Sequence, residues 1–209
     1  MTLHTRDIID LLAGIEPGSH LDDLRARRPE TRLNAQKSYE ALFEPEHFGS
    51  VTPAERFAVA TFVAGLHKVP EVGRYYASKL QGEAHGSDLA AVIGREVERG
   101  AAVGPYGHYP VGPLSREDQS GLIYEVSRES RTLLDPKLSA ALEHAHLLVF
   151  RPRDASAAAL QTLLDAGWTT TGIVTLSQLV AFLAFQIRVV TGLRALSASS
   201  VIAEQAVQA

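Results

Sequence analysis

Eight histidines, six tyrosines and 24 carboxylates are spread along a 209-residue chain that contains no cysteine. Proton transfer and hydrogen bonding to carboxylates or hydroxyls are therefore open to it. A protein thiolate, a disulfide or a thiolate-ligated metal is not. His144 and His146 lie two apart on an expected helix and so point to different faces, unlike the i, i+4 pairing of a helical metal site; no metal is expected. There is no G-x-G-x-x-G, no phosphate loop and no nucleophile elbow, since Gly172 and Ser177 stand in no such context. Ser115-Arg116-Glu117-Asp118 reads as a helix start and nothing more. No cofactor is expected.

The clearest local structure lies between Thr52 and Leu80. Thr52-Pro53-Ala54-Glu55 is a capping box: the Thr52 hydroxyl accepts from the Glu55 N–H, the Glu55 carboxylate accepts from the Thr52 N–H, and Pro53 takes the first helical position. Phe57, Ala60 and Ala64 with Val59, Phe62, Val63 and Leu66 then form the wide apolar face of a core helix, leaving Arg56 at its margin. Pro70 suits the first turn of a second helix, and Glu71 the positive end of its dipole. The reading is helix, tight break at His67 to Val69, helix.

This arrangement is similar to the alkylhydroperoxidase D and carboxymuconolactone decarboxylase family, whose core carries E-R near a helix start and then C-x-x-C-x-x-x-H. Glu55-Arg56 match the first pair. The relay of the redox-active members, a second glutamate, two cysteines and a histidine, falls here on Phe57, Val69, Val72 and Tyr76. All four depart from it, so thiol peroxidase activity is not expected. A second match runs from Leu163-Leu164-Asp165-Ala166-Gly167-Trp168 through Gly172-Ile173-Val174 to Arg188, with Ala184 and Ile187 where members often carry asparagines. The resemblance covers roughly residues 30 to 196 and is closest to the cysteine-free carboxymuconolactone decarboxylase-domain proteins. It implies an all-α, AhpD-like helical bundle and a homo-oligomer.

The resemblance also places Glu55, His67, Tyr75, Tyr76 and Arg188 around a cavity at the helix break. In an enzyme reading His67 is the general base, Tyr76 a proton donor, and Arg188 with Tyr75 a grip on a substrate carboxylate. Each also has a structural explanation. Glu55 is used by the capping box, His67 can serve the last carbonyls of its helix, the tyrosines can be core aromatics, and Arg188 can pair with an acid. His67 follows Glu55 by twelve residues, about three helical turns, so the two cannot touch along one helix.

The remaining sequence reads as helices with short polar connections: Thr5 to Ile15, Ser19 to Arg28, Glu30 to Phe43, Ser87 to Arg99 with Ser87 as N-cap, Lys137 to Phe150, and Ser156 to Ala166. No convincing strand appears. The segments are an N-terminal helical part at 1–51, the main helical domain at 52–196, and a tail at 197–209. Residues 101–136, with GPYGHYPVGPL, form an irregular insertion longer than the roughly 15 residues of an ordinary connector. It reads either as a surface packed on a neighbouring subunit or as a lid contributing His108 or Tyr109 to a ligand.

A net charge of -4 and a pI near 6.1 provide no general attraction for nucleic acid or an anionic membrane. The basic cluster Arg25, Arg27, Arg28 is short and flanked by acids. The charged start MTLHTRDIIDLLAGI lacks a signal-peptide pattern, and the cytoplasm is the expected location. Gly172 to Leu196 is apolar nearly all round but interrupted by Thr175, Ser177, Gln178 and Gln186, which favours a buried helix at a subunit contact over a membrane span. Three functional classes follow: a diverged acid–base enzyme for a small carboxylate or lactone, a small-molecule-binding protein, and a catalytically silent partner of a cysteine-bearing relative.

Overall fold

The computed structural model describes the backbone of residues 7–208 and the side-chain surroundings of residues 7–199. Its helices are α1 (Ile8–Ala13), α2 (His20–Ala26), α3 (Pro29–Phe43), α4 (Pro53–Leu66), α5 (Pro70–Gln81), α6 (Gly86–Gly100), α7 (Arg128–Phe150), α8 (Ala157–Asp165) and α9 (Thr170–Gln208). Among the described residues there is no strand, only an isolated bridge between Gly107 and Gln119. The all-α expectation holds. Thr5 and Arg6 of the first expected helix lie outside the described residues.

The chain divides into two compact units, Met1–Pro45 with Ala184–Ala209, and Glu46–Leu183. In the first, Asp7 caps α1 by accepting from the N–H groups of Ile9 and Asp10, both at 3.0 Å. The buried Asp10 carboxylate is held by Arg25 and Arg32. Arg25 also reaches Asp7 at 2.7 Å and Arg32 reaches Asp22 at 2.8 Å. Part of the basic cluster is thus a set of ion pairs joining α1, α2 and α3. Tyr39 and Phe43 stack at 5.1 Å within the apolar face of α3.

The second unit is built around α4, which is buried from Arg56 to Ala64. The capping box is complete: Glu55 N–H to Thr52 Oγ1 is 3.2 Å and Thr52 N–H to Glu55 Oε2 is 2.7 Å. His67 ends the helix, Lys68 turns the chain in a left-handed conformation (φ 57°), and Pro70 opens α5. Arg56 is not marginal but buried. Its Nε donates to the Val51 carbonyl at 3.0 Å and its Nη2 to that of Phe48 at 2.9 Å, so it ties down the approach to α4. A Cβ on Gly65 would lie 2.6 Å from a Val97 methyl, which is the close approach that lets α4 pack on α6.

Two boundaries differ from the sequence reading. α6 starts at Gly86, with His85 rather than Ser87 at its cap and in the left-handed region. A Cβ on Gly86 would fall 1.8 Å from the Leu80 carbonyl oxygen, so the chain doubles back where only glycine fits. The irregular segment ends at residue 127, not 136, because Ser127 caps α7 by accepting from Ser130 N–H at 3.1 Å. Pro136 lies inside the helix. It follows a break at Asp135 (φ 61°, ψ 167°), whose side chain caps the second stretch through Leu138 N–H at 2.8 Å.

α9 contains Thr170–Ser199, which is long and apolar enough to cross a membrane by length and composition; half of its most apolar window is buried in the protein. Its backbone stays helical to Gln208.

Candidate functional site

The α4–α5 positions are occupied by structural interactions. Glu55, besides its capping role, pairs with Lys137 at 2.6 Å. His67 caps α4, its Nδ1–H donating to the Val63 carbonyl at 2.9 Å. Val72 and Tyr76 are 0% exposed, Phe57 is buried with them, and Val69 is half-buried. The Tyr75 and Tyr76 rings meet edge to face at 5.1 Å, and the Lys79 ammonium lies 5.6 Å from the Tyr75 ring. Arg188 belongs to the other unit, is exposed, and donates to the Ala184 carbonyl of its own helix at 2.9 Å.

His108 and Tyr109 are anchored to the short turn after α7. Asp154 accepts the His108 N–H at 2.9 Å and lies 3.3 Å from its Nδ1, while the Arg153 guanidinium sits 4.2 Å above the Tyr109 ring. The same loop is pinned by Tyr106, which stacks parallel to Phe150 and donates to the Leu122 carbonyl at 3.1 Å. Most of the loop is thus a fastened surface.

The densest buried polar chemistry lies instead between α6, the end of this loop and α7. Glu96 is 0% exposed on α6. Its carboxylate accepts from the Tyr124 hydroxyl at 2.7 Å and the Ser127 hydroxyl at 2.6 Å, with Arg99 Nε at 3.5 Å. Burial pushes the Glu96 carboxyl up, but donors from Ser127, Tyr124 and Ser130 outweigh it, so the net displacement is below the usual glutamate range. Burial, with the neighbouring Glu96 charge, pushes the Tyr124 phenol the other way, well above its usual range. The pair is fixed as carboxylate acceptor and phenol donor.

His146 completes one side of this cluster. Its ring stacks on Tyr124 at 4.8 Å, and its Nε2–H donates to the Gly100 carbonyl at 2.9 Å, leaving Nδ1 a buried lone pair without a partner. Burial depresses its pKa to about 4, only partly opposed by the Gly100 bond and reinforced by the Arg151 charge. It is neutral at pH 7.

His144, two residues earlier, faces a different neighbourhood, as its spacing requires. It is 5% exposed, and neither ring nitrogen has a hydrogen-bond partner. Its ring lines a cavity of about 130 Å³ between α7 and α8, together with Tyr124, Glu143, Leu147, Arg151 and Leu163. Burial lowers its pKa, which favours the neutral ring. The buried Arg151 Nε is likewise unpaired, and one Nη reaches Asp154 only at 3.4 Å. Glu143 is already engaged by Arg131 and by the Val126 N–H. The unpartnered nitrogens of His144 and Arg151 are sealed from the cavity, whose wall combines Glu143 and Thr162 with apolar residues such as Leu147 and Leu163.

Sequence reading considered His144 and His146 only as a metal pair and did not reach Glu96, Tyr124 or Arg151. The available signal was three ionisable residues, Glu143, His144 and His146, within the otherwise apolar stretch from Ala140 to Phe150. No cluster of three or more metal-ligating side chains occurs among the described residues. Neither a known protein family model nor a curated protein sequence matches the chain.

Proposed function

We propose that the chain is a thiol-independent small-molecule-binding protein, a diverged, cysteine-free relative of the alkylhydroperoxidase D and carboxymuconolactone decarboxylase group, and not a peroxidase. The observation that carries the binding reading is the cavity of about 130 Å³ between α7 and α8, bordered by His144, Glu143, Arg151 and Thr162 beside apolar residues. The residue matches at Glu55-Arg56 and Arg188, with the all-helical fold, support the family reading. Neutral His144 has the protonation state of a general base, so acid–base chemistry on a bound molecule is compatible with the same site. A thermal-shift screen of small acids, lactones and phenols tests the proposal. Stabilisation by a member of the set that disappears in His144→Leu supports it, and a flat response across the set removes it.

A second reading, self-assembly, is favoured by a separate observation. Val103, Val111 and Ile123 on the irregular segment are exposed, as are Leu160 and Leu164 on α8 and Val174 on α9. Apolar side chains concentrated on one loop and two helices suit contact with a second copy or with a cysteine-bearing relative. Light scattering at micromolar concentration should give a mass above that of one chain.

A further inference from the structure

We infer that the first unit carries a ligand site of its own, an open pocket between α2, α3 and α9 that takes an apolar monocarboxylate, its head on Arg28 and its hydrocarbon part against α9. Every residue lining this pocket belongs to that unit, so the inference stands apart from the α7–α8 cavity. Helical spacing builds two of its walls. Arg28, Thr31 and Ala35 follow one another at intervals of three and four residues where α3 begins, and Phe185, Val189 and Leu193 at intervals of four on α9, so each set shares one face.

Charge accounting selects the head group. Three arginines line the pocket, but Arg25 is engaged by Asp7 and Asp10, and Arg32 by Asp10 and Asp22. None of these aspartates is part of the lining. Arg28 is exposed, and its guanidinium has no hydrogen bond or ion pair among the described residues. One uncommitted cation matches one negative charge. A carboxylate takes two parallel N–H bonds from a guanidinium, and the exposed Thr31 hydroxyl on the same face is a further donor. The apolar wall selects the rest of the molecule. Phe185 lines the pocket and is 41% exposed, so a hydrocarbon laid on α9 removes from water apolar surface that the fold leaves uncovered.

Isothermal titration of the full chain with octanoate, hexanoate, acetate, octanol and octyl phosphate tests the assignment. Octanoate should bind about tenfold more tightly than hexanoate, as two additional buried methylenes imply, and about fivefold or more above octanol and octyl phosphate. Arg28→Gln should weaken octanoate about fivefold, in keeping with a charge-assisted hydrogen bond at a solvent-exposed rim. The melting temperature of that variant should not move, because the Arg28 side chain holds nothing else in place. His144→Leu should leave octanoate binding as it is, which separates this site from the α7–α8 cavity. Octanol binding as tightly as octanoate would show an unselective apolar surface, and acetate binding as tightly would show an anion site without an apolar wall; either overturns the inference. Octyl phosphate binding more tightly than octanoate overturns the singly charged head. Octanoate binding indifferent to Arg28→Gln places the ligand elsewhere, and silence from every probe removes the site.

Discussion

The α4–α5 hairpin and the α6–α7 region differ in how their polar groups are spent. In the hairpin, Glu55 is shared between a capping box and Lys137, His67 is bonded to a carbonyl of its own helix, and Val72 and Tyr76 are sealed in the core. In the α6–α7 region a carboxylate, a phenol and the His146 imidazole are buried together, His144 is buried on another side of α7, and three ring nitrogens have no partner. Family patterning draws attention to the first region. The cost of burying polar groups draws it to the second.

The largest expected effect comes from breaking the second region at its centre. Glu96→Ala deletes the buried acceptor for Tyr124 and Ser127 and leaves a void as well. A loss of about 3–5 kcal/mol in urea denaturation is expected from two stranded donors and the cavity together. A loss below about 1 kcal/mol would mean that the cluster relaxes to solvent, and the contrast between the regions would collapse.

Acid should expose the same region next. The His146 pKa of about 4 in the folded chain lies below its ordinary value of 6.5, so between those pH values the unfolded chain binds the additional proton. Stability is thus fully present above about pH 6.5 and falls as the pH drops towards 4, by an amount on the order of a few kcal/mol. His144 is displaced in the same direction by burial. The depressed Glu96 carboxyl acts in a lower window, beginning only as the ordinary glutamate range is entered. His146→Phe, which cannot be protonated, should flatten the pH dependence between 6.5 and 4. An unchanged slope in that variant would assign the acid sensitivity to other groups.

A smaller effect is expected in the hairpin. Thr52→Ala removes one capping hydrogen bond, yet Glu55 keeps Lys137, so the expected cost is about 1 kcal/mol by denaturant midpoint. A cost as large as that of Glu96→Ala would make the hairpin, rather than the buried cluster, the keystone of the second unit.

The difference between regions also marks what was legible in the sequence. Local rules sufficed for α4 and α5, because capping box, proline at the first helical position and apolar period act over a few residues. The helix expected from Ser156 to Ala166 is also found, as α8, with Ser156 at its cap. Local rules failed at Gly86 and Asp135, where a close approach to Leu80 and a left-handed break are set by chain path. The candidate cluster was harder still. Glu96, Tyr124 and His146 are separated by 28 and 22 residues, and no period or spacing rule joins them. Arg56 shows the same limit on a smaller scale, reading as a helix margin until the carbonyls of Phe48 and Val51 close around it.

The comparison is sharpest where no effect is expected. Val69→Cys with Val72→Cys would introduce the C-x-x-C spacing of the family proposed for the chain. The Val72 position is 0% exposed among apolar neighbours, an environment that raises a thiol's pKa and keeps it from reacting. Tyr76, where the family carries a histidine, is equally buried, and a phenol lacks the neutral basic nitrogen that a histidine would bring to the relay. The double variant should therefore consume peroxide in the presence of dithiothreitol no faster than the solution without protein. Turnover above that rate would show that the hairpin opens and keeps a usable relay. The contrast would then reverse, with α4–α5 as a dormant active site and the α6–α7 cluster as its structural support.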